Sequence, residues 1–199
     1  MIRIYPFIFI LLWSSAFITT KPIVDYSDPF AALAFRFFFV AIGFYLFSVY
    51  SRNSVIIKKK NLIESILSGV LFHGFYLGGV FFSISIGMPA GIAALIVTLQ
   101  PILTNLLSGP ILNEKVSIKQ WIGAFLGFIG AALVLGIDLG SKIPLLGLIA
   151  TVIALIAITT STIWQKKLSD NLPLSVSNFY QAIGGCFFHL LIVIFFTEA

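Results

Sequence analysis

The 199-residue chain is 59% hydrophobic and only 10% charged, with a net charge of +5 and a mean hydropathy of +1.09. Soluble domains carry about 25% charged residues, so the composition excludes an ordinary globular protein. The basic excess lies in short gaps between apolar runs, with no basic face interleaved with aromatics, which speaks against a nucleic-acid partner.

Seven apolar runs follow in chain order, at about 4–23, 30–50, 62–83, 88–112, 120–138, 143–164 and 174–196. Each approaches the roughly 20 apolar residues that cross a hydrocarbon core. The expected fold is an all-α polytopic membrane protein. The first run is too long for a signal peptide, holds Trp13 and lacks a small-x-small cleavage site before Lys21, so it reads as a retained helix. Trp13, Ser14 and Ser15 interrupt it deeper than an interfacial aromatic belt would sit, and lining a cavity or packing internally are both open. Lys21 stands beside Pro22 at the outer end, where anchoring and function are equally good readings.

The second run carries Arg36, about six residues or 9 Å inside its outer end. A charge at a helix centre costs about 2.5–3.5 kcal/mol on insertion scales. Either Arg36 snorkels to the headgroups or it faces inward, to pair a substrate carboxylate or hold a gate. Lys58, Lys59 and Lys60 then form a basic anchor for anionic lipid. In the third run His73 lies near mid-membrane, with Tyr76 three residues on and on the same face.

The fourth run contains VTLQPILTNLL, residues 97–107. Pro101 has no amide hydrogen to donate toward residue 97, which frees a carbonyl and allows a kink. Gln100 and Thr104 share a face, with Asn105 beside them. Irregular backbone at membrane depth survives only where protein or a water-filled cavity satisfies it. These side chains therefore either line a cavity or bond neighbouring helices together. After the turn LNEKVSIKQ, the fifth run shows Gly123, Gly127 and Ala131 at small-xxx-small spacing, which permits close helix approach within the fold or between subunits. The seventh run holds Tyr180, Gln181, the single Cys186 and His189. Cys186 reads as a small packing residue.

Basic residues orient the chain. With the N-terminus in the cytoplasm, Arg3, Arg52, Lys58, Lys59, Lys60, Lys115, Lys119, Lys166 and Lys167 lie inside, against Lys21 and Lys142 outside. All seven acids, Asp25, Asp28, Glu64, Glu114, Asp138, Asp170 and Glu198, fall at or near helix ends. No mid-membrane carboxylate is available to carry a proton, so His73 is the best titratable candidate if transport is proton-coupled. Residues 13–40 resemble residues 157–186: a polar-flecked helix, a basic residue, a short D/N-P loop and a second helix. The two copies start on opposite sides, the inverted arrangement of secondary transporters.

The segments LLWSSAFITTKPIV and DPFAALAFRF, with residues 87–136 (GMPAGIAALIVTLQPILTNLLSGPILNEKVSIKQWIGAFLGFIGAALVLG), carry a family likeness. The chain resembles the EamA-like permeases of the drug/metabolite transporter superfamily. That resemblance implies ten helices in two inverted five-helix repeats, and a small-solute carrier, often an exporter, working by alternating access in the cytoplasmic membrane. On it, residues 1–138 form a first repeat and 139–199 the first two helices of a second, as in a C-terminally truncated member. One departure is Asn113 before Glu114, where the family usually has glycine.

The chain has no HExxH, P-loop or GxSxG motif and no close carboxylate pair, so an enzyme is not expected; a membrane transferase would show a polar catalytic loop. The candidate substrate-binding set is Trp13, Arg36, His73, Tyr76, Gln100, Thr104, Asn105 and Tyr180, with Pro101 as hinge. No catalytic residue, cofactor or metal site is expected. The expected partners are membrane lipids and a small solute such as an amino acid or similar amphipathic metabolite, with a second copy of the chain open as a further partner. A non-transporting membrane subunit, scaffold or inactive carrier stays open beside this reading; a solute-sized polar cavity would tell them apart.

Overall fold

The structure, a computed structural model, describes residues 4–113, 115–135, 143–169 and 172–196, without the side chains of residues 6, 9, 14, 17, 134, 135 and 169. The boundary expected at 138/139, Arg3, Lys142, Glu114, Asp138, Asp170 and Glu198 lie outside the described residues. Among the described residues, seven helices occupy the places of the seven apolar runs. They are α1 (Tyr5–Tyr26), α2 (Pro29–Tyr50), α3 (Lys59–Ser85), α4 (Ala90–Leu112), α5 (Ile118–Leu135), α6 (Leu145–Ser169) and α7 (Leu174–Phe196). Of these, α2, α3, α4, α6 and α7 are long and apolar enough to cross a membrane. The apolar stretch of α5 is shorter, Ile118–Leu133, and α1 carries Lys21, Pro22 and Asp25 near its end.

Local chemistry sets several boundaries. Asp28 Oδ1 caps α2 by accepting from the amides of Phe30 at 2.9 Å and Ala31 at 2.7 Å, ahead of Pro29, whose fixed φ suits a first helical position. A reciprocal capping box starts α5: Gln120 Oε1 accepts from the Ser117 amide at 2.7 Å, and the Gln120 amide donates to Ser117 Oγ at 3.3 Å. This satisfies two helix-end donors at once. Asn113 ends α4 in the left-handed region, at φ 56° and ψ 32°. Glycine and asparagine tolerate that conformation best, which explains why asparagine stands where the resemblance leads one to expect glycine.

Two helices are irregular. Within α3, residues Val70–Gly78 form a π-helical stretch, a rare widened form found frequently at functional sites. Within α4, the regular helix Ala90–Val97 breaks at Thr98 and Leu99 and resumes at Gln100. The break falls one turn before Pro101, where the missing amide donor leaves the backbone free to tighten; the Leu99 amide donates to the carbonyl of Ile96, three residues back.

The most extensive packing joins α2 to α7, and α3 runs between α7 and α6. Glycine makes these approaches possible. A Cβ at Gly69 would collide with the Gln181 backbone, one at Gly184 would lie 2.5 Å from the Ile66 carbonyl, and one at Gly79 2.9 Å from the Ala150 carbonyl. Two apolar cores result. Tyr76, Val80, Ile84, Ala93, Val97, Ala154, Ala157 and Ile158, with Met88 from the α3–α4 connection, unite α3, α4 and α6, while Leu33, Phe37, Ala41, Phe81 and Ala182 unite α2, α3 and α7. By contrast, nothing lies within 4 Å of a Cβ built at Gly123, Gly127 or Gly130. These three glycines therefore make no close approach to a neighbouring helix among the described residues.

Candidate functional site

Four of the expected site residues converge on one cleft of about 290 Å³, enclosed by α1, α2 and α3. Trp13 comes from α1, Arg36 from α2, and His73 and Tyr76 from the π stretch of α3. Leu12, Ala16 and Thr20 complete the α1 wall, Phe37 and Val40 that of α2, and Phe72, Leu77, Val80 and Phe81 that of α3. The volume sits at the small end of the range for ligand pockets, about 300–1,000 Å³, and suits one small metabolite.

The lining is aromatic with a single cation. Trp13 and Tyr76 stack with ring centroids 6.5 Å apart and planes 12° from parallel. Phe72 meets Tyr76 edge-on at 5.5 Å, and the His73 ring lies 4.3 Å from that of Phe37. Tyr76 is buried, with 2% exposure, whereas Trp13 is 38% exposed. The Arg36 guanidinium carbon stands 5.8 Å from the Phe37 centroid, within the reach of a cation–π attraction, and the side chain remains exposed. His73 Nδ1 is buried without a hydrogen-bond partner. An apolar pocket with a few polar groups of this kind fixes the orientation of a ligand with one charged end. Among the described residues no group of three His, Cys, Asp or Glu side chains could hold a metal ion.

The other expected residues stand elsewhere. Gln100 Nε2 donates to Thr162 Oγ1 at 3.0 Å, bonding α4 to α6. Thr104 Oγ1 is buried without a partner. Pro101 and Asn105 line a second cleft of about 380 Å³ between α4 and α5, with Thr98, Gln120 and Gly123; there Asn105 Nδ2 donates to the Gln120 carbonyl at 3.5 Å. Tyr180 donates its hydroxyl to the Val55 carbonyl at 2.7 Å, tying α7 to the α2–α3 loop. Lys21 pairs with Asp25 one turn along α1.

The sequence reading missed Phe37 and Phe72 as partners of the site. Their signal was present, since Phe37 adjoins Arg36 and Phe72 precedes Tyr76 by one turn. Thr20, 2% exposed, was masked by its neighbour Lys21; its hydroxyl donates to the Ala16 carbonyl at 2.7 Å.

Fold and cleft together define a polytopic α-helical membrane protein with a small cleft between its first three helices. Residues 3–136 match the EamA-like transporter family, and the chain belongs to that family. It is 24% identical over 194 residues to the uncharacterized transporter YvbV of Bacillus subtilis, covering 96% of this chain and 61% of the relative. A second Bacillus subtilis relative, the uncharacterized transporter YyaM, is 28% identical over 205 residues, covering 96% and 63%. A probable amino-acid metabolite efflux pump of Salmonella typhimurium is 25% identical over 166 residues, covering 82% of this chain and 53% of the pump. The chain thus spans about three-fifths of the length of the two Bacillus relatives.

Proposed function

We propose that the protein carries small amphipathic metabolites bearing a carboxylate, amino acids and their relatives, out of the cell across the cytoplasmic membrane by alternating access. The observation that supports this most is the meeting of Arg36 with Trp13, His73 and Tyr76 around one cleft of about 290 Å³. A guanidinium pairs a carboxylate in a bidentate fork, and stacked aromatic rings offer an apolar face to the rest of the solute. The probable amino-acid metabolite efflux pump among the relatives agrees with that substrate class.

In this reading the N-terminus lies in the cytoplasm, by the excess of lysine and arginine on that side. Residues 1–138 are the first repeat and 139–199 the opening pair of helices of the inverted second, with the α2–α7 pairing as the most extensive contact between them. The interruption before Pro101 is the hinge, and His73 is the proton carrier where flux is proton-coupled.

The test is counterflow in proteoliposomes holding the purified chain, loaded with unlabelled phenylalanine and challenged with the tritiated amino acid. Labelled solute is expected to accumulate, to fall at least about tenfold in Arg36→Leu, equivalent to about 1.4 kcal/mol, and to recover in part in Arg36→Lys. Accumulation unchanged in Arg36→Leu removes the carboxylate-pairing role. No accumulation of phenylalanine, glutamate or threonine by the intact chain turns the reading to a non-transporting membrane subunit.

A further inference from the structure

Among the described residues, His189 is the one buried titratable side chain at the centre of the bundle that the solute reading leaves unused. It is fully buried in the middle of α7, and its Nε2 lies 2.9 Å from the carbonyl oxygen of His73. A carbonyl only accepts, so Nε2 carries the hydrogen. That leaves Nδ1 as an acceptor, and it has no partner. One bond and the surrounding rings orient the imidazole: Phe30 and Phe37 each lie 6.0 Å away, and Phe188 5.5 Å.

The bonded carbonyl belongs to the π stretch Val70–Gly78, which supplies Phe72, His73, Tyr76 and Leu77 to the cleft. The fit between the two helices is reciprocal. A Cβ at Gly78 would stand 2.9 Å from His189 Cε1, and a Cβ at Gly185 would collide with His73 Cβ. Each helix thus lays a histidine over a glycine of the other. A π stretch is rare and is frequently found at functional sites, so the contacts that fix its place bear on the cleft it lines.

We propose that His189 is a positioning residue for the cleft: its bond to the His73 carbonyl holds the π turn of α3 against α7 and sets where His73 and Tyr76 stand. This rests on reading the cleft as the solute site, yet its test needs no flux. In the intact chain in lipid nanodiscs, with isotope-labelled histidine, NMR is expected to show His189 as the Nε2–H tautomer with a hydrogen-bond coupling to the His73 carbonyl. The Nδ1–H tautomer, or no coupling, overturns the proposal before any substitution is made.

The second arm reads Trp13 in a Trp121→Phe, Trp164→Phe background, with potassium iodide as quencher. Trp13 stacks on Tyr76, so a displaced π turn changes its access. His189→Leu is expected to raise the quenching constant, because the Trp13 ring loses cover from Tyr76. His189→Gln, which keeps an N–H donor, is expected to restore it. Quenching in His189→Leu equal to that of the parent overturns the positioning role. If the leucine variant does not insert, the tautomer and the His189→Gln quenching decide. A chain that passes both arms but moves no solute keeps the positioning result and loses only the transport reading.

Discussion

Gln100 on α4 donates its side-chain amide to Thr162 Oγ1 on α6 at 3.0 Å, across the middle of two membrane-spanning helices. Thr162 in turn donates to the Ile158 carbonyl one turn back, at 2.7 Å. A similar polar seam joins α3 to α6, where Ser68 and Ser161 hydroxyls meet at 3.1 Å and Ser161 also donates to the Ser68 carbonyl at 3.0 Å. Amides and hydroxyls in these spans satisfy one another across helices in place of water.

That geometry gives Gln100 an interhelical bond to Thr162. Gln100→Leu removes the donor and leaves Thr162 with its backbone bond intact, so the cost is that of one interhelical bond, about 0.6 kcal/mol on average. The expected outcome is a small fall in unfolding free energy in mixed micelles with phenylalanine counterflow retained. Loss of counterflow at unchanged stability would return Gln100 to the solute path.

Glycine replacements are expected to divide sharply by position. A side chain at Gly69 would run into the Gln181 backbone, and one at Gly184 would lie 2.5 Å from the Ile66 carbonyl. Backbone cannot swing aside as a flexible side chain can, so Gly69→Val and Gly184→Val should each cost about 1–3 kcal/mol or more through overpacking. Gly123→Ala and Gly127→Ala meet nothing within 4 Å and exchange a weak helix former for the best one; they should leave stability equal or slightly raised. Unfolding midpoints of the four variants check the contrast.

Much of this fold is written in hydrophobic length. Runs of about twenty apolar residues separated by short polar gaps mark all seven helices, because a bilayer leaves few other solutions. The break in α4 is equally legible, since Pro101 lacks the donor its position requires. The cleft is legible in part. Trp13, Arg36, His73 and Tyr76 stand out as polar or amphipathic groups too deep for an interface, and they meet. Gln100, Asn105 and Tyr180 carry the same signal but bond locally to Thr162, Gln120 and Val55, and a single span cannot say which helix stands opposite. The π turn of α3 is not legible, because VLFHGFYLG suits an ordinary apolar helix; what distinguishes it is His189, 116 residues away.

Trp13 should set the preference for aromatic solutes. Its ring stacks on Tyr76 and forms part of the cleft wall, so Trp13→Ala enlarges the site and removes an aromatic face. An aromatic pair is worth about 0.5–1.5 kcal/mol beyond its buried area, a factor of about two to twelve. Half-saturation of counterflow is expected to rise by that factor for phenylalanine and much less for alanine. An equal rise for both solutes would make Trp13 a packing residue of α1 and not a determinant of selectivity.

The turn after α4 offers a test in which the backbone alone decides. Asn113 holds φ 56°, where a Cβ crowds the following carbonyl and most residues lose about 1–2 kcal/mol. Asparagine is enriched there because its short side chain bonds locally, and glycine escapes the clash altogether. Asn113→Gly should therefore keep full stability, while Asn113→Val, branched at Cβ, should lose about 1–2 kcal/mol, the full cost of that strain. Because Asn113 is exposed, no lost packing enters the comparison, and unfolding in mixed micelles reads the turn directly. Equal stabilities for glycine and valine would mean that α4 does not need a left-handed residue to end, and that the asparagine here serves something other than the backbone.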